Sequence, residues 1–161
     1  MVEVFTNLCV GDTDDCNKIN SSDWAIIHAC KDPCHRRIVN YKNNLPIEHD
    51  NYLVHEKDNH LALNIVDMKQ ELLPEYTDKI MKAAMRFIEE NIDKHKILIH
   101  CNQGMSRSPS IALLYMARLG VINNQSYREA ATDFKVKYKD YNPGTGIAAY
   151  LAKNWADLLI I

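Results

Sequence analysis

Three consecutive aliphatics, Ile97-Leu98-Ile99, sit inside the stretch KILIHC (96–101), and no polar residue interrupts them. A strand with one face in water alternates apolar and polar positions, so an unbroken run fits a strand covered on both faces. Such strands belong to parallel or mixed sheets flanked by helices. Directly behind it come a cysteine, a short polar loop and SPSIALLYMARLG (108–120). Pro109 suits the first turn of a helix, the interior is apolar, and Gly120 suits its end. Strand, tight loop and helix in that order restrict the chain to an α/β domain.

The rest of the chain agrees. Residues 2–10 alternate as a strand ended by Gly11-Asp12. DWAIIHAC (23–30), YLVHE (52–56) and HLALNIV (60–66) read as three more, with Lys57-Asp58-Asn59 turning between the last two. Ile80, Ala84, Phe87, Ile88 and Asn91 follow helical spacing after Pro74, which predicts an amphipathic helix over 75–92. Further helices are predicted at 125–137 and 144–158. Residues 31–51 are polar, contain Pro33 and Pro46, and read as loops or short elements. The expectation is one domain over 1–161, α/β, with a central mixed, mostly parallel sheet of about five strands flanked by helices.

Composition narrows the function. A net charge of −2 and a pI near 6.4 argue against a nucleic-acid clamp, which needs a strongly basic face. No stretch approaches the roughly 20 apolar residues of a membrane helix, so no membrane is expected. The N-terminus MVEVFTNLCVGD has an early Glu3 and no basic start, so it does not read as a signal peptide. The five cysteines are Cys9, Cys16, Cys30, Cys34 and Cys101. An odd count without a secretion signal favours reduced thiols and a cytoplasmic location.

The chemistry concentrates in IHCNQGMSRS (99–108). A strand-to-helix turn converges backbone N–H groups on one spot, and the helix dipole adds positive potential there. Gly104 permits a tight turn and close approach of the backbone to a ligand. That is a cradle for a phosphate-sized anion. A thiol at Cys101, beside a helix N-terminus and a guanidinium, is favoured as thiolate. Beyond a spacer of five residues Arg107 offers a planar fork that grips two phosphoryl oxygens. With loop amides and Arg107 stabilising the oxygens, no metal or cofactor is required. Read singly, Cys101 is a small core hydrophobe and Arg107 a solvated surface group. Their coincidence at this spacing, between strand and helix, favours chemistry.

HCNQGMSRS resembles the HC-x5-R-[S/T] signature of the cysteine-dependent protein tyrosine phosphatase superfamily, and most of all its dual-specificity branch, HCxxGxSRS. The resemblance runs from about Phe5 to the C-terminus and is weakest between 31 and 60. It implies a protein tyrosine phosphatase-like fold and assigns roles. Cys101 is the nucleophile that forms a cysteinyl phosphate. Arg107 binds the phosphate and stabilises the transition state, and the amides of Asn102, Gln103, Gly104, Met105, Ser106 and Arg107 fill out the phosphate cradle. Ser108 hydrogen-bonds the thiolate as it leaves, and His100 helps set the loop.

The leaving oxygen needs a proton from a separate loop. In the resembled family an aspartate at the end of an earlier strand supplies it. Asp67, which ends HLALNIVD, fits that place; Glu71 is the rival and Asp58 a remote one. YNPGTGIAAYL (141–151) resembles the family's Asn-Pro segment, which makes Asn142 a supporting residue, with a simple turn as the other reading.

The loop positions Asn102, Gln103, Met105 and Ser106 carry no charge. Family members acting on inositol lipids place lysines there, and RNA 5′-phosphatases carry threonine after the arginine. The expected partner is therefore a phosphorylated protein, through phosphotyrosine and also phosphoserine or phosphothreonine. A non-protein phosphatase and a phosphoprotein-binding module without turnover are the alternatives. Cys30-Lys-Asp-Pro-Cys34-His35 has metal-like spacing, but structural zinc sites show paired motifs and this is one alone. Five of the seven histidines lie between 28 and 60 and read as scattered loop residues.

Overall fold

The computed structural model describes residues 1–161. In chain order the elements are β1 (Val2–Phe5), β2 (Leu8–Gly11), α1 (Thr13–Asn17), β3 (Trp24–His28), a π-helical turn (Lys31–His35) and α2 (Arg36–Val39). Then follow β4 (Val54–Lys57), β5 (His60–Leu63), α3 (Pro74–Asn91), β6 (Lys96–His100) and α4 (Arg107–Arg118). The chain ends in α5 (Tyr127–Lys137), α6 (Thr145–Lys153) and α7 (Trp155–Leu158). No helix is long and apolar enough to cross a membrane.

The sheet has six strands in the order β1-β2-β6-β3-β5-β4, one more than expected. Strands β2, β6, β3 and β5 run parallel, and β1 and β4 close the edges antiparallel. The extra strand comes from the N-terminal segment, which is a hairpin and not one strand. Asn7 takes the left-handed conformation at φ 61°, which asparagine tolerates, and its amide donates to Glu3 Oε1. The alternation of residues 2–10 continues across so short a turn, which conceals it. The expected helix at 144–158 breaks at Asn154 into α6 and α7. HLALNIV pairs only as far as Leu63. The polar 31–51 region holds the π-helical turn and α2.

The strand pattern places two different faces on the sheet. Ile97, Ile99, Ala25, Ile27, Leu61, Leu63, Leu8 and Val10 all join one core cluster of 36 buried residues. Side chains α3 and α4 contribute from above include Ile80, Met81, Ala84, Phe87, Ile88, Ile111, Leu113 and Leu114. α4 is buried from Arg107 to Ala117, as the mostly apolar SPSIALLYMA requires, with Ser108 and Ser110 as buried polar groups. The alternate strand positions, Cys9, Leu98, Ile26 and Ala62, are buried on the opposite face, outside that cluster. His28, His100 and His60 share that second face by strand register. The parallel strands all end at one rim, where open α/β sheets bind ligands.

Candidate active site

The loop from Cys101 to Ser106 joins β6 to α4 at that rim. Gly104 sits at φ +71°, and a Cβ there would meet the Gly11 backbone at 3.1 Å and the Tyr138 hydroxyl at 3.2 Å. Only glycine accepts both demands. Neighbours hold the loop from outside. Tyr138 Oη donates to Gly104 O (2.9 Å), Asn142 N to Met105 O (2.9 Å) and Gly144 N to Ser106 Oγ (2.9 Å). No backbone hydrogen bond uses the amides of residues 102 to 107 as donors. Six N–H groups at a helix start thus remain for an anion.

Cys101 lies at the foot of the loop, 1% exposed. The Ser108 hydroxyl lies 3.2 Å from its sulfur and 3.3 Å from Gly11 O, and donates to one or the other. Thr13 Oγ1 donates to the Cys101 carbonyl at 3.4 Å. Arg107 is 8% exposed, and two of its nitrogens are fixed by protein. Nη1 donates to Ile65 O (3.2 Å) and Nη2 to Asn102 Oδ1 (2.7 Å). Its Nε is buried with no hydrogen-bond partner and stands 3.9 Å from Asp67 Oδ2. A buried guanidinium donor left over in this way is matched to an incoming oxygen.

A cleft of about 290 Å³ brings Asp67, Cys101, Gln103, Met105, Ser106, Arg107 and Asn142 together. The two rival acids are elsewhere. Glu71 forms an ion pair with Lys153 Nζ at 3.2 Å. Asp58 occupies the β4–β5 turn, which precedes β5 and so lies at the opposite end of the parallel strands. Asn142 reaches the cleft, but its side chain is exposed and its backbone amide makes the contact to the loop.

The histidines depart from expectation. His28 and His60 are not scattered loop residues. His28 Nδ1 lies 2.7 Å from His100 Nε2, and His28 Nε2 lies 2.9 Å from His60 Nδ1. Parallel pairing of β3 with β6 sets His28 beside His100 in register, which spacing along the chain does not reveal. Burial pushes His28 down to about 3, helped by His100 and His60, and burial pushes His100 down to about 4. Both rings are neutral at neutral pH.

Three further contributions carry no sequence signal. The Asn102 side chain accepts from Arg107 Nη2 and donates through Nδ2 to Asp32 O (2.9 Å), so it ties the guanidinium to the π-helical turn. Tyr138 supports Gly104 from α5's end. Gly146 braces the loop that carries Asp67: its amide donates to Met68 O (3.1 Å), beside a bond from Thr145 Oγ1 to Lys69 O (2.8 Å). A Cβ at Gly146 would overlap the carbonyls of Met68 and Gln70.

Comparison with known proteins agrees with this architecture. Residues 27–153 match the family described as dual specificity phosphatase, catalytic domain. No curated protein matches the chain in sequence. The crystal structure of DUSP15 superposes with a TM-score of 0.65 at 18% identity, covering 99% of this chain and 92% of that one. The human tyrosine phosphatase-like serine/threonine/tyrosine-interacting protein gives 0.64 at 18% identity, covering 98% and 96%. PTPMT1, solved in complex with PI(5)P, gives 0.62 at 12% identity, covering 98% and 96%. At such identities these likenesses speak for the fold. With a family match that takes in the sheet's centre, the loop after β6 and the helices behind it, the chain belongs to the dual-specificity phosphatases, which are cysteine-dependent phosphoric monoester hydrolases.

Proposed function

We propose that residues 1–161 form one catalytic domain that hydrolyses phosphoproteins, at phosphotyrosine and also at phosphoserine or phosphothreonine. One observation carries the choice of substrate: Arg107 is the only cation lining the cleft. A single phosphoryl group satisfies it. Inositol phosphates and 5′-triphosphorylated RNA bring additional phosphates, and the cleft offers them no second positive charge.

In this reading the phosphoryl group sits in the loop, its oxygens on the amides of 102 to 107 and on Arg107 Nε. The Cys101 sulfur attacks phosphorus, and the S–P bond forms as the ester P–O bond breaks. Asp67, at the cleft wall, protonates the departing oxygen. Water then attacks the cysteinyl phosphate with Asp67 as base, and Ser108 stabilises the thiolate that departs. Asn102 holds Arg107 to its task. The five cysteines are all free thiols, which suits a reducing, cytoplasmic setting.

A substrate panel tests this: phosphotyrosine peptide, phosphoserine peptide, triphosphorylated RNA and a phosphoinositide. The phosphotyrosine peptide is expected to give the highest kcat/KM. A higher value for the RNA or the lipid overturns the reading.

A further inference from the structure

The second face of the sheet holds a cluster of which only His100 has a part in the phosphate-binding loop. His28 and His100 project there from adjacent strands, and Cys30 follows two residues after His28. The sulfurs of Cys30 and Cys34 and a ring nitrogen of His100 all lie within 4.8 Å of one another. Cys16, on α1, places its sulfur within the same distance of ring nitrogens of His28 and His100. Cys30, Cys34, His28 and His100 are buried, and Cys16 is half-buried. Two triads that share His100 thus set three thiols and two imidazoles in neighbouring positions.

Two observations distinguish this cluster from ordinary packing. His100 is 1% exposed, and its Nδ1 makes no hydrogen bond of normal geometry, with only the Cys101 backbone beside the ring. An unpaired buried polar nitrogen costs about 1–3 kcal/mol, so such a group asks for an explanation. The other nitrogen is fully committed: Nε2 is tied to His28 Nδ1, and His28 Nε2 to the exposed His60. When His100 Nε2–H donates along this chain, Nδ1 presents a bare lone pair. Outer hydrogen bonds of this kind set the tautomer of metal-ligating histidines. Independently, the sulfurs of Cys30 and Cys34 lie within 4.8 Å of each other, so the two thiols already converge.

We propose that Cys30, Cys34 and His100, with Cys16 as fourth ligand, bind a thiophilic divalent metal ion, with zinc the best match to a tetrahedral set of sulfur and imidazole. Zinc–sulfur bonds near 2.3 Å and zinc–nitrogen bonds near 2.0–2.1 Å place tetrahedral ligand atoms roughly 3.5–3.8 Å apart. Cys30, Cys34 and His100 stand within 4.8 Å of one another, close to that spacing, and Cys16, grouped with the same His100 from α1, turns toward them to complete the set. Each coordinated thiol releases its proton to solvent, and no electron is transferred. The short spacing Cys30-x3-Cys34 lacks a second motif in sequence; the fold supplies the missing donors from α1 and β6.

The ion is structural. It fixes the π-helical turn to β6, and Asp32 in that turn accepts the bond from Asn102 that positions Arg107. Metal on one face of the sheet thereby steadies the phosphate-binding arginine at the rim.

The test is a cobalt titration of the full chain, stripped with a chelator under reducing conditions. Wild type is expected to take up one equivalent, with thiolate-to-cobalt charge transfer and the intense ligand-field bands of a tetrahedral site, displaced stoichiometrically by zinc. Cys101→Ser is expected to titrate identically, which separates this site from a metal caught on the nucleophile. Cys34→Ser is expected to weaken binding by at least about tenfold and to reduce the charge-transfer band. Should Cys34→Ser fail to fold, Cys16→Ser, at the half-exposed position, reports the same loss. No stoichiometric uptake by wild type, a weak octahedral spectrum, unchanged uptake in both serine variants, or loss of uptake in Cys101→Ser overturns the proposal. So does a Cys30–Cys34 disulfide that persists in the reduced protein.

Discussion

The Ser108 hydroxyl lies 3.2 Å from the Cys101 sulfur, and both groups are buried where β6 gives way to α4. A hydroxyl donor at that distance favours a thiolate over a neutral or phosphorylated sulfur. In the proposed mechanism its effect belongs to the step in which sulfur leaves phosphorus. Ser108→Ala removes a hydrogen bond to a charged group, worth about 1.5–3 kcal/mol, or roughly 10- to 100-fold in rate. The expected outcome is a lower kcat with a pre-steady-state burst approaching one product per chain. Rapid-quench kinetics checks it, and a lower rate without a burst assigns Ser108 to the earlier step.

Asp67 faces the cleft at 3.9 Å from Arg107 Nε, whereas Glu71 is occupied by Lys153. Asp67→Asn is expected to lower kcat about 10²- to 10⁴-fold for esters with poor leaving groups, the usual range for general acid catalysis. Activated aryl phosphates, whose leaving groups need no proton, are expected to lose far less. A leaving-group series measures this directly. Equal losses across the series would remove Asp67 from the role of acid.

Asn102 joins Arg107 Nη2 to the Asp32 carbonyl. Asn102→Ala releases the guanidinium on one side without touching the substrate. KM and the inhibition constant for vanadate are expected to rise about 5- to 30-fold, the equivalent of about 1–2 kcal/mol. Asn102→Asp, which keeps the acceptor for Arg107, is expected to recover part of the loss. If neither constant moves in the alanine variant, Arg107 is held by Ile65 alone.

Gly146 touches the carbonyls of Met68 and Gln70 so closely that a methyl group displaces the loop carrying Asp67. Gly146→Ala is therefore expected to copy the leaving-group dependence of Asp67→Asn. Overall stability is expected to drop by only about 1–3 kcal/mol, the usual cost of local overpacking. Parallel urea unfolding and leaving-group series separate the two effects. A large stability loss with an unaltered leaving-group series places Gly146 in the fold alone.

Elements whose pattern is local were legible in the chain. The unbroken Ile97-Leu98-Ile99 announces a strand buried on both faces, and it lies near the sheet centre between β2 and β3. Pro109 and the apolar run behind it announce α4. Cys101, Arg107 and Ser108 lie within one strand-loop-helix passage, so their proximity follows from short-range geometry. Asp67 was placed through the family pattern, and the fold brings it to the same cleft. Contacts made by strand register or by distant segments were hidden. His28 meets His100 from 72 positions away, and Tyr138 reaches Gly104 from 34. The sixth strand escaped because Asn7 turns the chain without interrupting its alternation. Cys30 and Cys34 looked like half a motif, and the fold sets His100 of β6 beside them, a neighbour that spacing along the chain does not reveal.

The central claim is that Cys101 carries the phosphoryl group during hydrolysis. The direct measurement quenches the enzyme during turnover of an aryl phosphate and maps the covalently bound phosphate by mass spectrometry. The predicted result is phosphate on Cys101, with neither label nor turnover in Cys101→Ser. Phosphate on another residue, or a wild-type rate in Cys101→Ser, contradicts it.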